Sequence, residues 1–486
     1  MAQGPDIIEH RSTILIPVMG PLMKGTFHLV EDSFAMCRAT QTGACCDVLH
    51  SIIWRYLLLV NCFDVKCFSA IVSTTKGPGD MTSSRPTLTI QKAYAVAREA
   101  FEPGGADLVG VEIEWPVHKR GSLSRPESAD FLPIMNRPLP NGSRITIEPG
   151  GQVELSGPPL ESGPATLRAI NEDAVILHHR LRAHGLIPTD LAVDDRRPPH
   201  RILDLPRYRA MESFYAHRGR EGTWMMTNTA SVQINISHHP DGRNVRWELA
   251  NRMGPVLVAA FANSPGIGPD GQRWQSVRQA IWNGIDPGRT APVPVSDQPG
   301  TDWAQYALAA DVFFIRGGEL GTSVPPGLTF ADWMTTGHPA GWPTEDDLRY
   351  HLTTLFPPIR PRGWLEFRMI DALEPDCRSA AVLVASTAIE DRVAAELVDL
   401  LPDTQDLWVT AARDGLNDPV LRDAAQLLLG VVELHLRRHP THSSAAETVA
   451  TYIDRYTKHG LAPAHVHGDI ETDAFPRLDA AVVAAP

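Results

Sequence analysis

The segment Ile145-Thr-Ile-Glu-Pro-Gly-Gly-Gln-Val-Glu-Leu-Ser-Gly-Pro-Pro159 places two carboxylates on short strands flanking a Pro-Gly-Gly turn. Side chains on a strand alternate faces, so Ile145 and Ile147 point one way and Thr146 and Glu148 the other; beyond the turn, Val153 and Leu155 oppose Gln152 and Glu154. Each arm has an apolar face and an acidic one. A lone hairpin of this kind is readily explained as a hydrated surface, but three further segments repeat the device. In Val109-Gly-Val-Glu-Ile-Glu-Trp115, the residues Val109, Val111, Ile113 and Trp115 leave Glu112 and Glu114 together on the opposite face. In Ser231-Val-Gln-Ile-Asn-Ile-Ser237, Val232, Ile234 and Ile236 are set against Gln233 and Asn235, carboxamides that both donate and accept hydrogen bonds. In Trp364-Leu-Glu-Phe-Arg-Met369, Leu365, Phe367 and Met369 oppose Glu366 and Arg368. If the four segments line one sheet, they gather Glu112, Glu114, Glu148, Glu154 and Glu366, which would raise one another's pKa unless cations neutralised them. Magnesium, a hard cation held partly by carboxylates and partly by phosphates, suits those ligands. The alternative is four strands that each merely show a solvated face.

The elements around these strands read as helices. Ala165 to His184 carries Leu167, Ile170, Val175, Leu177 and Leu181 at roughly helical spacing, and Thr344-Glu-Asp-Asp347 resembles a capped start for a helix using Leu348, Leu352 and Leu355. After Pro375 the chain turns rich in alanine and leucine, predicting helices over Arg378 to Leu401 and Pro419 to Arg438, ended by Pro402 and Pro440. The last residues, "LDAAVVAAP", are expected to fray.

Other phosphate- and metal-binding devices are absent from the sequence. It holds no Gly-x4-Gly-Lys-Ser/Thr loop, and no Gly-x-Gly-x-x-Gly follows a strand pattern. His238-His239 and His465-Val-His467 lack the spacing of a zinc site with thiolate partners and are read as exposed loop histidines. Trp224, Trp274 and Trp303 are read as packing residues.

A chain of 486 residues with 43% hydrophobic content buries a large core, and its formal charge of −13 disfavours a nucleic-acid partner. The most apolar stretch, Ile52 to Val72, is interrupted by Arg55, Asp64 and Lys66, so no membrane span is expected. Five of the six cysteines, Cys37, Cys45, Cys46, Cys62 and Cys67, precede residue 80, leaving only Cys377 afterwards. Residues 1–80 are read as an N-terminal extension, disordered or upstream of a true start at Met81, that activity and solubility do not need. A small zinc-binding or redox-sensing module is the alternative there, although the cysteine spacings fit common zinc patterns poorly. With one cysteine beyond residue 80 no internal disulfide is available to the rest, and a cytoplasmic location is expected.

The residues that carry chemistry also carry a resemblance. "TIEPGGQVELSGPPL", Thr146 to Leu160, is similar to the signature of the glutamate-cysteine ligases of the plant and proteobacterial type. Other landmarks follow in order: Met225 and Met226 leading into "VQIN", then "AAFANSP" from Ala259, then "SVRQAIWNGIDPGRT", Ser276 to Thr290, which resembles the family's Arg-x3-Trp-x3-Asp-x2-Arg-Thr block. "YHLTTLFPPIRPRGWLEFRMIDA", Tyr350 to Ala372, is most similar to the actinobacterial branch that serves ergothioneine synthesis. The resemblance implies ATP-dependent joining of the L-glutamate γ-carboxyl to the L-cysteine amine through a γ-glutamyl phosphate, with ATP as substrate and Mg2+ or Mn2+ as cofactor. By motif position it implies Glu112, Glu114, Glu148 and Glu366 as metal ligands and Glu366, Arg368 and Arg278 as catalytic groups. Glu154, Gln233, Asn235, Trp282, Arg289 and Tyr306 fall near the substrates. The implied fold is α+β, a curved and largely antiparallel sheet forming a funnel with outer helices, as in the glutamine synthetase-like superfamily. Residues 81–372 would form the catalytic core and 373–486 a helical region packed on it.

Two positions depart from the plant pattern: Asn228 stands where Arg is common, and Ser237 where Asp is. Two alternatives stay open on sequence alone, a ligase of the same fold with another acceptor amine and a catalytically silent relative that binds and regulates. The expected partners are small molecules, with no nucleic acid and no membrane, and a monomer meets every requirement read here.

Overall fold

The structure, a computed structural model, is described for residues 88–466 apart from 103, 240–243, 269 and 319. The expectations for residues 1–80, for His467 and for the C-terminal tail lie outside the described residues. Six strands build the main sheet: β1 (Val109–Trp115), β2 (Arg144–Ile147), β3 (Val153–Ser156), β4 (Ser231–Ser237), β5 (Ile359–Pro361) and β6 (Trp364–Asp371). Their spatial order is β5-β6-β4-β1-β3-β2, and every neighbouring pair is antiparallel. The period-2 pattern therefore does what it predicts. Val111, Ile113, Val153, Leu155, Val232, Ile234, Leu365 and Phe367 are all buried on one face, where each contributes roughly 1.5–3 kcal/mol.

Helices cover that apolar face. α1 (Gly163–Ala183) packs on β1 and β3, α3 (Val245–Ala260) on β5 and β6, and α5 (Pro375–Ala388) on β4, while α2 (Glu221–Asn228) leads into β4 and packs on α4 (Val277–Ile285). α7 (Pro419–Arg438) and α8 (Ser443–Arg455) form a further layer against α3 and α5. The Thr344 start is a capping box: Thr344 accepts from the Asp347 backbone and Asp347 returns a bond to the Thr344 N–H. Trp224, Trp274 and Trp303 are buried as expected of packing residues.

Three expectations are corrected. The helix predicted over Arg378 to Leu401 begins at Pro375 and breaks into α5 and α6 (Asp391–Leu400), because Glu390, at φ −59° and ψ 137°, leaves helical backbone between them. The break lets nearly the whole girth of α5 be buried while α6 buries only Val393, Ala394 and Leu397. His238 and His239 are not exposed loop residues: both are buried, one facing the Ala100 carbonyl at 2.9 Å and the other the Asp391 carboxylate at 3.1 Å. The alternation in β6 also fails midway. Phe367 pairs with Ile234 but Ile370 with Val232, so Arg368 and Met369 together oppose Gln233 in a β-bulge, and Met369 and Ile370 are both buried.

Candidate active site

The polar face of the sheet gathers side chains from all six strands. The register sets Glu112 opposite Gln233 and Ser156, Glu114 opposite Glu154, Thr146 opposite Glu154, and Glu366 opposite both Asn235 and Arg360. Nearby hydrogen-bond donors hold the carboxylates. Glu112 accepts from Asn235 Nδ2 at 3.1 Å, and Glu114 from the Ser231 N–H and Gln233 Nε2, each at 2.8 Å. Glu154 accepts from the Thr146 hydroxyl at 2.7 Å and the Ser156 hydroxyl at 3.1 Å. Gln233 and Asn235 thus serve as braces: Gln233 Oε1 takes a 2.6 Å bond from Arg368 Nη1, and Asn235 Oδ1 a 3.0 Å bond from the Trp364 indole.

This half of the face carries more negative charge than it can easily keep. Burial, then the charges of Glu154 and Glu366, push the Glu112 carboxyl up to about 8. Burial and Glu114 push Glu154 up to about 7. Burial followed by Glu154, Glu114 and Glu112 drives Glu148 well above its ordinary range, and burial raises Glu114 in spite of Arg278 and Arg368. The donor set, acid oxygens with carboxamides and hydroxyls behind them, has the chemistry of a hard divalent cation site, in which phosphate and water complete the shell. Among the described residues no three His, Cys, Asp or Glu side chains already stand close enough to cage an ion, so the fit is one of chemistry and charge. Without divalent ions these raised carboxyls make the fold more stable at low pH. A carboxyl whose folded pKa lies above its unfolded value contributes stability below the unfolded value, and loses it as pH rises through the folded one. Buried His178 and His238, held near 4 by desolvation, add stability as pH rises toward their ordinary value of 6.5 and so oppose the carboxyls in the lower part of the range. The ion-free protein should therefore lose stability between about pH 6.5 and about pH 8, and added magnesium should raise the melting temperature most at the upper end of that window. Thermal unfolding in chelator and in magnesium across this range reads the effect; a melting temperature that is flat or rises with pH in chelator excludes it.

The other end of the face is basic, and Glu366 belongs to it. Its two oxygens are gripped by Arg360, with Nη2 at 3.0 Å and Nε closer still, and they also face Arg368 Nη1 at 3.3 Å and Arg362 Nη1 at 3.4 Å. Burial works to raise its carboxyl, yet Arg360, Arg368 and Arg362 together hold it well below the usual carboxylate range. In this arrangement Glu366 is the counter-ion of three arginines, not a free cation ligand. Arg368 lies over the Trp282 and Phe356 rings, at 5.7 and 5.6 Å. On α4, Arg278 also lies over the Trp282 ring, at 5.5 Å, and donates to the Arg368 carbonyl at 2.9 Å. The structure thus brings Arg278, Trp282 and Arg368 together.

It does not bring Arg289 and Tyr306 to this face. Arg289 is fully buried between the Phe214 and Phe313 rings and spends its nitrogens on Asp286, Thr354 and the Asp311 carbonyl. Tyr306 stacks on Trp303 and donates to the Ala291 carbonyl at 3.1 Å. Their bonding is that of packing anchors. Of the two departures, Ser237 caps the Leu108 N–H at 3.1 Å, and Asn228 is wholly buried with both halves of its amide bonded. Sequence reasoning missed Arg360, although a signal existed: Gly363, at φ +84°, turns the hairpin, and Arg360 and Glu366 are equidistant from it. It also missed Asp371, a buried carboxylate that accepts from the Asn263 N–H and from the Ser264 and Ser276 hydroxyls beside Arg278. A cavity of about 410 Å³ lined by residues such as Pro292, Val295, Trp408 and Val409 includes none of these groups.

Comparison with known proteins identifies the family of the chain. The family model for glutamate-cysteine ligase family 2 matches residues 108–466. The glutamate–cysteine ligase EgtA of Mycobacterium tuberculosis is 40% identical over 394 residues, covering 78% of this chain and 89% of that protein. EgtA of Mycolicibacterium smegmatis is 39% identical over 370 residues, 74% of this chain and 86% of that protein. A chloroplastic glutamate–cysteine ligase of Brassica juncea is 30% identical over 291 residues, 57% of this chain and 55% of that protein. Among solved structures, the glutamate–cysteine ligase of Francisella tularensis in complex with AMP has a TM-score of 0.45 at 14% identity, covering 74% of this chain and 84% of that chain. So distant a likeness says nothing about what this chain binds. No helix among the described residues is long and apolar enough to cross a membrane. On the family match and the extent of the EgtA likeness, the chain belongs to glutamate-cysteine ligase family 2.

Proposed function

We propose that this chain joins the γ-carboxyl of L-glutamate to the amine of L-cysteine at the expense of ATP, giving γ-glutamylcysteine for ergothioneine synthesis. The observation that carries the reading is the placement of four crowded carboxylates and three arginines at opposite ends of one sheet face. The likeness to EgtA supports the substrates named. A carboxylate is a poor electrophile because its charge is delocalised. Transfer of the γ-phosphoryl group of ATP to the γ-carboxylate yields γ-glutamyl phosphate and ADP. The cysteine amine then attacks the acyl carbon, the C–N bond forms, the C–O bond to phosphate breaks, and the amine proton leaves to solvent or phosphate. The protein's part in such chemistry is positioning and electrostatic stabilisation.

Arg368 and Arg278, planar forks that match phosphate or carboxylate oxygens, stabilise the charge that develops on the transferring group. Trp282, packed against both, holds their planes in place. Glu112, Glu114, Glu148 and Glu154 would hold magnesium, which when bound neutralises phosphate charge. Gln233 and Asn235 fix the carboxylates that do so. On this reading residues 81–372 carry the catalytic sheet and 373–486 support it from the apolar side. The test is an assay with glutamate, ATP and a panel of amines that measures phosphate and product together. Product is expected with cysteine, and only with magnesium or manganese present. Full turnover in excess chelator would sink the cation site. A preference for another amine would move the chain to a different acceptor, and binding without phosphate release would make it a silent relative.

A further inference from the structure

Glu148 is held differently from its acidic neighbours. Glu112, Glu114 and Glu154 each accept at least one hydrogen bond from a strand neighbour. Among the described residues no hydrogen bond or ion pair reaches the Glu148 carboxylate, and the charges that act on it most strongly are those of Glu154, Glu114 and Glu112. Its place on the face is therefore set by the backbone that carries it. Glu148 opens the Pro149-Gly150-Gly151 turn: its N–H donates to the Gln152 carbonyl at 2.8 Å, and its own carbonyl accepts from the Gly151 N–H at 2.9 Å.

The turn in turn is gripped from outside the hairpin by one guanidinium. Arg125 lies between the short strand Val117–Lys119 and the helix Ser128–Met135. Its Nη1 donates to the Gly150 carbonyl at 2.8 Å and the Thr227 carbonyl at 3.0 Å; its Nη2 donates to the Pro198 carbonyl at 3.0 Å and to Asn228 Oδ1 at 2.7 Å. All four acceptors are neutral, so the group acts as a bracket joining the turn to the end of α2. The bracket sits on a tight contact. A Cβ on Gly150 would stand 2.2 Å from the Thr227 carbonyl oxygen, so backbone lies directly on backbone there.

We propose that Arg125 is a positioning residue for Glu148, acting through the backbone of the Pro-Gly-Gly turn to set the divalent-cation affinity of the acidic face. This rests on the reading of Glu148 as a cation ligand. Groups that orient metal ligands typically change metal affinity 10–100-fold when removed. The probe is Mn2+ titrated into the full chain and followed by the electron paramagnetic resonance signal of the free ion, with urea unfolding measured on each variant.

Glu148→Gln should weaken Mn2+ binding at least about tenfold, and Arg125→Ala about tenfold. Arg125→Lys, which keeps the charge but not the fork, should fall between Arg125→Ala and wild type. Added to Glu148→Gln, Arg125→Ala should cause no further loss, because two changes acting through one ligand are not additive. In turnover assays Arg125→Lys should raise the KM for ATP in limiting metal and leave the KM for glutamate unchanged. Wild-type Mn2+ affinity in Glu148→Gln removes Glu148 from the cation site, and this proposal with it. Weakened Glu148→Gln beside unchanged Arg125→Ala overturns the role of Arg125 alone. Equal losses from Arg125→Ala in both backgrounds would also overturn it, as general loosening. Should Arg125→Ala fail to fold, Arg125→Lys decides by the same comparison in the same two backgrounds.

Discussion

Glu366→Gln should lower ATP turnover by at least about a hundredfold, comparable to removing one strong transition-state contact. The substitution keeps size and shape but deletes the charge shared by Arg360, Arg362 and Arg368. Three cations then face one another with no counter-ion. Arg368, which needs Glu366 and Gln233 to hold its plane over Trp282, is the group expected to shift. Glu366 and Arg360 are both buried, and removing one partner of a buried pair costs about 3–5 kcal/mol, so the melting temperature should fall as well. Arg368→Lys separates the two effects. It keeps the positive charge and most of the packing but loses the two-pronged donor, so turnover should fall severely while stability changes little. Near-normal rates in folded Glu366→Gln protein would take β6 out of the active site and require the arginine cluster to be reassigned.

Gly150→Ala should be the most damaging single methyl group in the catalytic sheet. The added carbon would lie 2.2 Å from the Thr227 oxygen and 2.5 Å from its Cα, both backbone atoms that cannot swing aside as a side chain end can. Relief requires the turn to lift away from α2, which breaks the Arg125 bond to Gly150 and the bond from the Gly150 N–H to Gln152 Oε1. Overpacking of this kind costs about 1–3 kcal/mol, and the loss of bonds adds to it. Because Glu148 rides on the same turn, turnover should drop even at temperatures where the variant stays folded. Denaturant unfolding and initial rates on one preparation test both halves; an unchanged unfolding midpoint would mean that the turn has room the contact does not suggest.

The strands and the face each residue shows were legible in the sequence because each strand has one buried side, and burial writes a period of two into the residue types. Glu112, Glu114, Glu148 and Glu154 could each be put opposite the apolar residues of its own strand from that pattern, and on one common face only on the condition that the strands share a sheet. Their partners could not, since alternation gives the direction of a side chain and not the strand that lies beside it. Motif position puts Glu366 among the cation ligands, and alternation gives no hint that Arg360, six residues away across the hairpin, lies opposite it and grips its oxygens. Arg289 shows another limit: motif position puts it near the substrates, and only the fold shows that it satisfies peptide carbonyls between two phenyl rings. The histidine pair misled for a related reason, as polar residues in a strand-to-helix connection look exposed until Ala100 and Asp391 are placed against them.

The extra residue in β6 has a consequence for assembly. A strand of strict alternation has a near-degenerate error available to it: displaced by one position along its neighbour, it exchanges its entire inside for its outside. β6 cannot make that error coherently. Leu365 and Phe367 precede the irregularity and Ile370 follows it at odd spacing, so any one-residue slip against β4 that suited one half would misplace the other. The bulge pins the pairing at a single solution. It does so at Arg368, which means that the feature aiming the guanidinium at Gln233 is also the one that makes the central strand pair foldable in only one way.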